Sequence, residues 1–374
     1  MKIHRRVCAT IDLDAITENV KQLHNNIGQS QLMVVVKANG YGHGLLKVAQ
    51  HLTKQALDFL WGFGVATLGE AVELRKGGIQ TNIIVLGCVF LEQYKEMIAY
   101  DIIPTVYTYD MAKEMSQLAV EAGEMLRIHI KLDTGMGRLG FLPTEESLQA
   151  VKQIFALPNL NVDGIFTHFA RADEPTVDFT KTQYEIYKKF LASLGKEVPF
   201  YHCNNSAGVL AFPQFSNNLV RAGLSVYGFY SSDEVERSKV RLKPALRLTS
   251  HVTFVKEVPK GTPISYGSTF VTPKKMQIAT IPVGYGDGYP RSLSNIGEVL
   301  IGGKRCRILG RICMDQFMVD VSHLPDVQSM DLVVLVGKMG KEEIHVDELS
   351  KLSNRFNYEF LCCLGNRIPR KYKC

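Results

Sequence analysis

Long uncharged apolar runs are missing from this 374-residue chain. Nothing in it therefore reads as a membrane-spanning helix, which needs about 20 consecutive apolar residues. Cys-x-x-Cys spacing is missing too. The eight cysteines, at 8, 88, 203, 306, 313, 362, 363 and 374, are scattered, which argues against a zinc site and against a disulfide framework. No metal is expected, and the thiols read as reduced. Met1 to Cys8 runs into polar Asp12 and Asp14 instead of an apolar core, so no secretory leader is visible and a cytoplasmic location is expected. Neither sign of charge dominates. The net +6 is mild for this length, and the basic tail Arg367, Arg370, Lys371 and Lys373 fits a solvated face better than a nucleic-acid patch. Repeats and low-complexity segments are also lacking. What is present is 46% hydrophobic residues, enough for a packed core. At roughly 150 residues per domain, two domains are expected.

Strand-like and helix-like segments alternate through the first two thirds of the chain. Residues 14–25, with Ile16, Val20 and Leu23 at helical spacing, form an amphipathic helix. Eight strands then read at 33–38, 63–67, 82–87, 103–108, 127–133, 161–168, 200–204 and 219–226. Helical patterns separate them at 45–54, 69–77, 92–100, 110–122, 145–156 and 177–194, with a shorter one after Ser206. Eight βα units of this size predict a TIM-like (β/α)8 barrel, usually about 250 residues long, over 1–239. Past residue 240 strands follow without long helices between them, at 247–257, 276–283, 298–309, 317–321 and 331–336, so 240–374 reads as a smaller, mostly β domain.

A barrel carries its chemistry at the carboxyl ends of its strands and its phosphate sites after strands 7 and 8. The apolar run Val34-Val35-Val36 stops on Lys37-Ala38-Asn39-Gly40-Tyr41-Gly42-His43-Gly44, a lysine at the edge of a glycine-rich turn. A strand-end lysine can simply snorkel to solvent. That reading leaves Asn39, Tyr41 and His43 unexplained, whereas a desolvated amine forming a Schiff base with an aldehyde such as pyridoxal phosphate accounts for the turn. Asp133 to Arg138 follows strand 5, and His168 ends strand 6. Asn204-Asn205-Ser206-Ala207-Gly208 follows strand 7, with donors suited to a phosphate. Arg221-Ala222-Gly223-Leu224 lies at strand 8.

The string Lys37-Ala38-Asn39-Gly40-Tyr41-Gly42-His43-Gly44 resembles the cofactor-lysine motif of bacterial alanine racemases, and further matches run through most of the chain. The resemblance implies a pyridoxal phosphate enzyme with Lys37 as the cofactor lysine. Phosphate ligands implied are Tyr41, Asn205 with Ser206, Gly223 and Leu224 through backbone, and Tyr358. Gly223 could equally be a barrel-packing glycine. Asp133-Thr134-Gly135-Met136-Gly137-Arg138-Leu139-Gly140 is similar to the segment whose arginine, here Arg138, meets the substrate carboxylate; read alone, Arg138 is a surface cation. Lys131 matches a lysine carbamylated in many relatives, and otherwise reads as a barrel-interior lysine. His168, by itself a hydrogen-bonded core histidine, and Arg221 match the family histidine and arginine. An arginine facing the pyridine nitrogen denies that nitrogen its proton and restrains the ring as an electron sink.

Ile264-Ser265-Tyr266-Gly267 resembles the segment that supplies the family's second base. Racemisation removes a proton from one face of Cα and returns one to the other, so Lys37 and Tyr266 are expected on opposite faces. A phenol of ordinary pKa near 10 needs help to act as a base, which the resemblance assigns to His168 and Arg221. Tyr266 alone reads as an amphipathic β-domain tyrosine. Tyr285 and Arg311 match the corridor into the site, and Met314 matches backbone that holds the substrate carboxylate. Asn366 stands where the family ending has tyrosine, which touches local packing alone.

The expected protein is a homodimeric racemase that interconverts L- and D-alanine for peptidoglycan, with each β domain contributing to its partner's active site. Its partners are a small amino acid and a second copy, with no nucleic acid and no membrane. Serine or another small amino acid is the alternative substrate. A barrel decarboxylase would carry an acidic group where Arg221 stands, and a non-catalytic cofactor-homeostasis barrel has no need of residues 240–374.

Overall fold

The computed structural model describes residues 6–374, which divide into two compact units. One runs from Ala15 to Pro244; the other joins the segment ending at Asp14 to Ala245–Cys374. Strand β1 (Val7–Asp12) belongs to the second unit, where the sequence reading had assigned everything before residue 240 to the barrel.

The first unit is an eight-stranded, near-closed (β/α)8 barrel. Its strands are β2 (Gln31–Val35), β3 (Leu60–Val65), β4 (Asn82–Val85), β5 (Ile103–Val106), β6 (Leu126–Lys131), β7 (Leu160–Phe166), β8 (Phe200–His202) and β9 (Leu219–Ala222). Each pairs in parallel with the next from β2 to β8, and β2 also pairs in parallel with β9. Between β8 and β9 the Arg221 backbone N–H donates to the Asn204 carbonyl at 3.1 Å. Val-, Ile- and Leu-rich strands buried on both faces are what a parallel sheet covered by helices demands.

The intervening helices begin where a hydroxyl or amide side chain can take up an unpaired N–H. Thr67, Thr108, Thr144 and Asn205 cap the helices Leu68–Lys76, Tyr109–Ala122, Glu145–Ile154 and Ser206–Ala211. Helix Leu13–Ile27 buries Ile16, Val20, Leu23 and Ile27, one face of a 3.6-residue period.

Two strands end earlier than their apolar runs suggest. The lysine strand stops at Val35, although the Val36 N–H still reaches the Gly64 carbonyl, because the chain turns left-handed from Ala38. The last strand stops at Ala222, since Gly223 leaves the extended region and Leu224–Tyr227 forms a short 3-10 turn.

The second unit is built on a largely antiparallel ten-stranded sheet. Within it β1 lies between Leu246–His251 and Arg370–Lys373, the latter pairing in parallel. The run expected at 298–309 is a hairpin, Glu298–Ile301 and Lys304–Leu309. Its turn residues Gly302 and Gly303 have φ 58° and 75°, which glycine tolerates without strain.

Candidate active site

Lys37 sits two residues past β2, half-buried, at the start of a left-handed turn. Ala38, Asn39 and Tyr41 have φ of 52°, 54° and 50°, each costing roughly 1–2 kcal/mol for an L-residue. Hydrogen bonds hold the turn. Gly40, Gly42 and Gly44 donate to the carbonyls of Val36, Ala38 and Asn39, and Asn39 Oδ1 accepts from Leu45 N–H at 3.0 Å. The Glu70 carboxylate ties the turn to the end of β3, accepting from the N–H of Ala38 at 2.6 Å and of Ala66 at 2.8 Å. Such strain survives where neighbours over-determine it, and here it fixes the backbone that carries the amine.

Beside the turn, Tyr41, Ser206 and Gly223 converge. Ser206 Oγ accepts from the Gly223 N–H at 2.8 Å and the Ser225 N–H at 3.4 Å. A Cβ on Gly223 would sit 2.4 Å from the Tyr41 hydroxyl, so only glycine fits. Leu224 follows in the same turn, and Asn205 caps the helix that begins with Ser206. The Ser225 hydroxyl is fully buried and has no partner among the described residues. Hydroxyls and backbone N–H groups converging where the Gly223 backbone comes this close to Tyr41 fit a phosphate.

Arg221 is buried, and both of its Nη atoms are engaged. It donates to the carbonyls of His202, Thr167 and Cys203 at 3.0, 2.8 and 2.9 Å, to His202 Nδ1 at 2.6 Å and to His168 Nδ1 at 3.2 Å. Burial lowers its pKa to about 10, which leaves it charged at neutral pH. Burial and the cations Arg221, Arg138, Lys131 and Lys37 hold His168 well below the ordinary imidazole range. It is therefore neutral. Since Nδ1 accepts from an obligate donor, the His168 proton lies on Nε2. Lys131, also buried, donates to the Leu132 carbonyl at 2.6 Å; burial, helped by Arg221, lowers its pKa to about 7.

Arg138 is placed by Asp133. The Asp133 carboxylate accepts from the N–H groups of Gly135, Met136, Gly137 and Arg138 at 2.8–3.1 Å, curling the loop around itself. Burial pushes its pKa up, but these four bonds outweigh burial and the net shift is downward. A Cβ on Gly140 would lie 2.5 Å from Asp133 N, so the loop closes only on glycine there.

In the β unit, Tyr266, Arg311, Tyr285 and Met314 come together. Ser265, before Tyr266, has φ 64° and ψ −177°, a region almost confined to glycine. Its hydroxyl donates to the Arg311 carbonyl at 2.5 Å, and Arg311 Nη1 would lie 2.9 Å from a Cβ on Gly267. Tyr285 and Gly286 donate to the carbonyls of Cys313 and Met314 at 3.1 and 2.9 Å. Tyr266 is 71% exposed. Tyr358, in helix Asn357–Cys362, stacks on the N-cap residue Phe356 at 4.7 Å.

Several residues that build the barrel site drew no role from sequence. Glu70 was detectable, since Thr67-x-x-Glu70 has the capping-box pattern. Tyr227, which donates to the Val35 carbonyl at 3.1 Å and stacks on His43 at 4.5 Å, carried no such signal. Neither did His202.

Comparison with known proteins identifies the family. The family description "Alanine racemase, N-terminal domain" matches residues 11–231, and "Alanine racemase, C-terminal domain" matches 245–372. An alanine racemase of Desulforamulus reducens is 42% identical over 370 residues, covering 98% of each chain. One from Methanococcus maripaludis is also 42% identical, again covering 98% of each. The solved alanine racemase of Clostridium difficile 630 superposes with a TM-score of 0.95 at 36% identity, covering 100% of this chain and 97% of that one. A histidine racemase from Leuconostoc mesenteroides reaches 0.92 at 27% identity, covering 100% and 99%. The chain belongs to the alanine racemase family, pyridoxal phosphate-dependent isomerases built from a (β/α)8 barrel and a mostly β domain.

Proposed function

We propose that this protein interconverts L- and D-alanine with pyridoxal phosphate, using Lys37 and Tyr266 as bases on opposite faces of the substrate Cα. The carrying observation is the meeting of three features at the carboxyl ends of the barrel strands. They are the strained Lys37 turn, the Tyr41–Ser206–Gly223 cradle and the buried guanidinium of Arg221. Pyridoxal phosphate, when bound, withdraws electrons from the amino acid attached to it and so acidifies its Cα–H. Lys37 would supply the amine that holds the cofactor through its aldehyde, and the same amine would move the Cα proton on one face.

The phosphate falls to Tyr41, Asn205, Ser206, the backbone of Gly223 and Leu224, and Tyr358. Arg221, permanently charged, would face the ring nitrogen and keep it unprotonated. That limits side reactions such as transamination. Arg138 and the Met314 backbone hold the substrate carboxylate, and Tyr285 and Arg311 line the way in. Neutral His168, between Arg221 and the substrate, favours the phenolate form of Tyr266. Lys131 is the candidate for carbamylation, because an amine with a pKa near 7 is substantially neutral and nucleophilic at physiological pH, and the resulting carbamate would steady Arg138.

Tyr266, exposed on its own unit, completes the site of a second copy, making the working form a homodimer. D-alanine for peptidoglycan is the product the cell would draw on, and the cytoplasm is the proposed location. Serine is the rival substrate, and the shared architecture of a histidine racemase shows that this fold accompanies other side chains. Incubating purified protein with single enantiomers of alanine and of serine, and following optical rotation, separates the two. Decay with alanine well ahead of serine supports the proposal, and decay with serine alone overturns it.

A further inference from the structure

Arg221 is a buried guanidinium with no carboxylate in ion-pair distance among the described residues. Its direct acceptors are three carbonyls and two imidazoles. An uncompensated charge in such a place is costly. A counter-charge does exist, two imidazoles away. His202 Nε2 lies 2.8 Å from His129 Nδ1, and His129 Nε2 lies 3.5 Å from Asp163 Oδ2. His129 Nε2 and Asp163 Oδ2 are both buried and neither completes a hydrogen bond among the described residues, so the 3.5 Å approach is a charge–dipole contact between them.

The strand pairing makes room for this chain. Between β6 and β7 the register shifts at His129. Ile128 faces Val162, but His129 faces Gly164, leaving Asp163 as the extra residue of a bulge. Bulges are rare in parallel pairs, and they re-aim the side chain they carry. Gly164 is needed beside it, since a Cβ there would lie 2.6 Å from His129 Nδ1. Aromatic rings wall the chain off from water. Phe166 stacks on His202 at 4.5 Å and 7°, while Trp61 and Phe200 flank His129 at 5.5 and 6.4 Å.

The ends dictate the direction of every proton. Arginine only donates, so His202 Nδ1 must accept and a neutral His202 carries its proton on Nε2. That proton points to His129 Nδ1, which forces the His129 proton onto Nε2, toward Asp163. We infer that Asp163 and His129 are positioning residues, which act through His202 as a one-directional buried relay that fixes Arg221 and delivers it a distant counter-charge. The effect on the cofactor ring rests on the reading above that Arg221 faces the ring nitrogen. Burial is the first cause holding both imidazoles low. Arg221 adds to it at both, with His129 and Lys131 acting on His202 and Arg127 acting on His129, while Asp163 opposes at His129.

The test uses the holoenzyme labelled with 15N-histidine, with the signals of His202 and His129 assigned by single replacement. Both should show protonated Nε2 and bare Nδ1, unchanged between pH 5.5 and 9. Asp163→Leu should move the Nε2 proton resonances of both residues. It should also weaken cofactor retention and raise the ratio of transamination to racemisation. Asp163→Asn keeps an accepting oxygen without the charge and should fall between. A proton on His202 Nδ1, titration of either ring in that range, or an unmoved His202 signal in Asp163→Leu would overturn the relay. If the signals move but retention and product ratio do not, the positioning role is wrong. Failure of the ring-nitrogen reading looks different. Arg221→Glu would then leave the product ratio unchanged while the parent holoenzyme still shows the relay signals.

Discussion

The backbone of Gly223 passes so close to Tyr41 that a single methyl on it would sit 2.4 Å from the phenol oxygen. Gly223→Ala should therefore push the Tyr41 hydroxyl out of the cradle and crowd the N–H that faces Ser206. A tenfold or greater loss in cofactor affinity is expected, about 1.4 kcal/mol or more, with the fold retained. Titration of the cofactor-depleted protein, followed by visible absorbance, reads it directly. Affinity equal to the parent's would make Gly223 a packing glycine only.

Lys131 predicts a pH dependence of stability. Its pKa falls from 10.5 to about 7 on folding, so between those values the unfolded chain binds more protons than the folded one. Stability must then rise with pH across that window, while below about pH 7 both states are protonated and the penalty is constant. In buffer freed of carbon dioxide, thermal melts of the parent should show this rise, and Lys131→Met should flatten it. Bicarbonate should flatten it in the parent alone, because a carbamate no longer titrates as an amine. Equal slopes in parent and variant would contradict the assignment.

Mixing chains tests the shared site. Lys37→Ala and Tyr266→Phe, each inactive alone, should regain activity after subunit exchange. One site of the mixed dimer then combines intact Lys37 from one chain with intact Tyr266 from the other. If both groups came from the same chain, every site would keep one lesion. No rescue, with mixed dimers demonstrated by differential tags, would place the site within a single chain.

Strand order and most helix positions were legible because apolar period and cap residues act locally. The eight barrel strands fall within a few residues of the expected runs, and Thr108 and Thr144 begin helices where their hydroxyls can accept an N–H. Barrel topology then carried Lys37, His168, Arg221 and Ser206 to one end. Long-range pairing was not legible. Nothing in Val7–Asp12 says that it will pair with Leu246–His251, and nothing in Asp163 says that a bulge will turn it toward His129. Backbone strain was equally hidden: Ser265 has the φ of a glycine because its hydroxyl is held by the Arg311 carbonyl, a residue far along the chain.

The most direct measurement is the fate of the Cα proton in Tyr266→Phe, followed by NMR in heavy water with each enantiomer of alanine in turn. With Lys37 intact and the second base gone, one enantiomer should exchange its Cα proton for deuterium with its configuration retained. The other should stay inert, and neither should racemise. Racemisation at the parental rate, or equal exchange from both enantiomers, would contradict the assignment of Lys37 and Tyr266 to opposite faces.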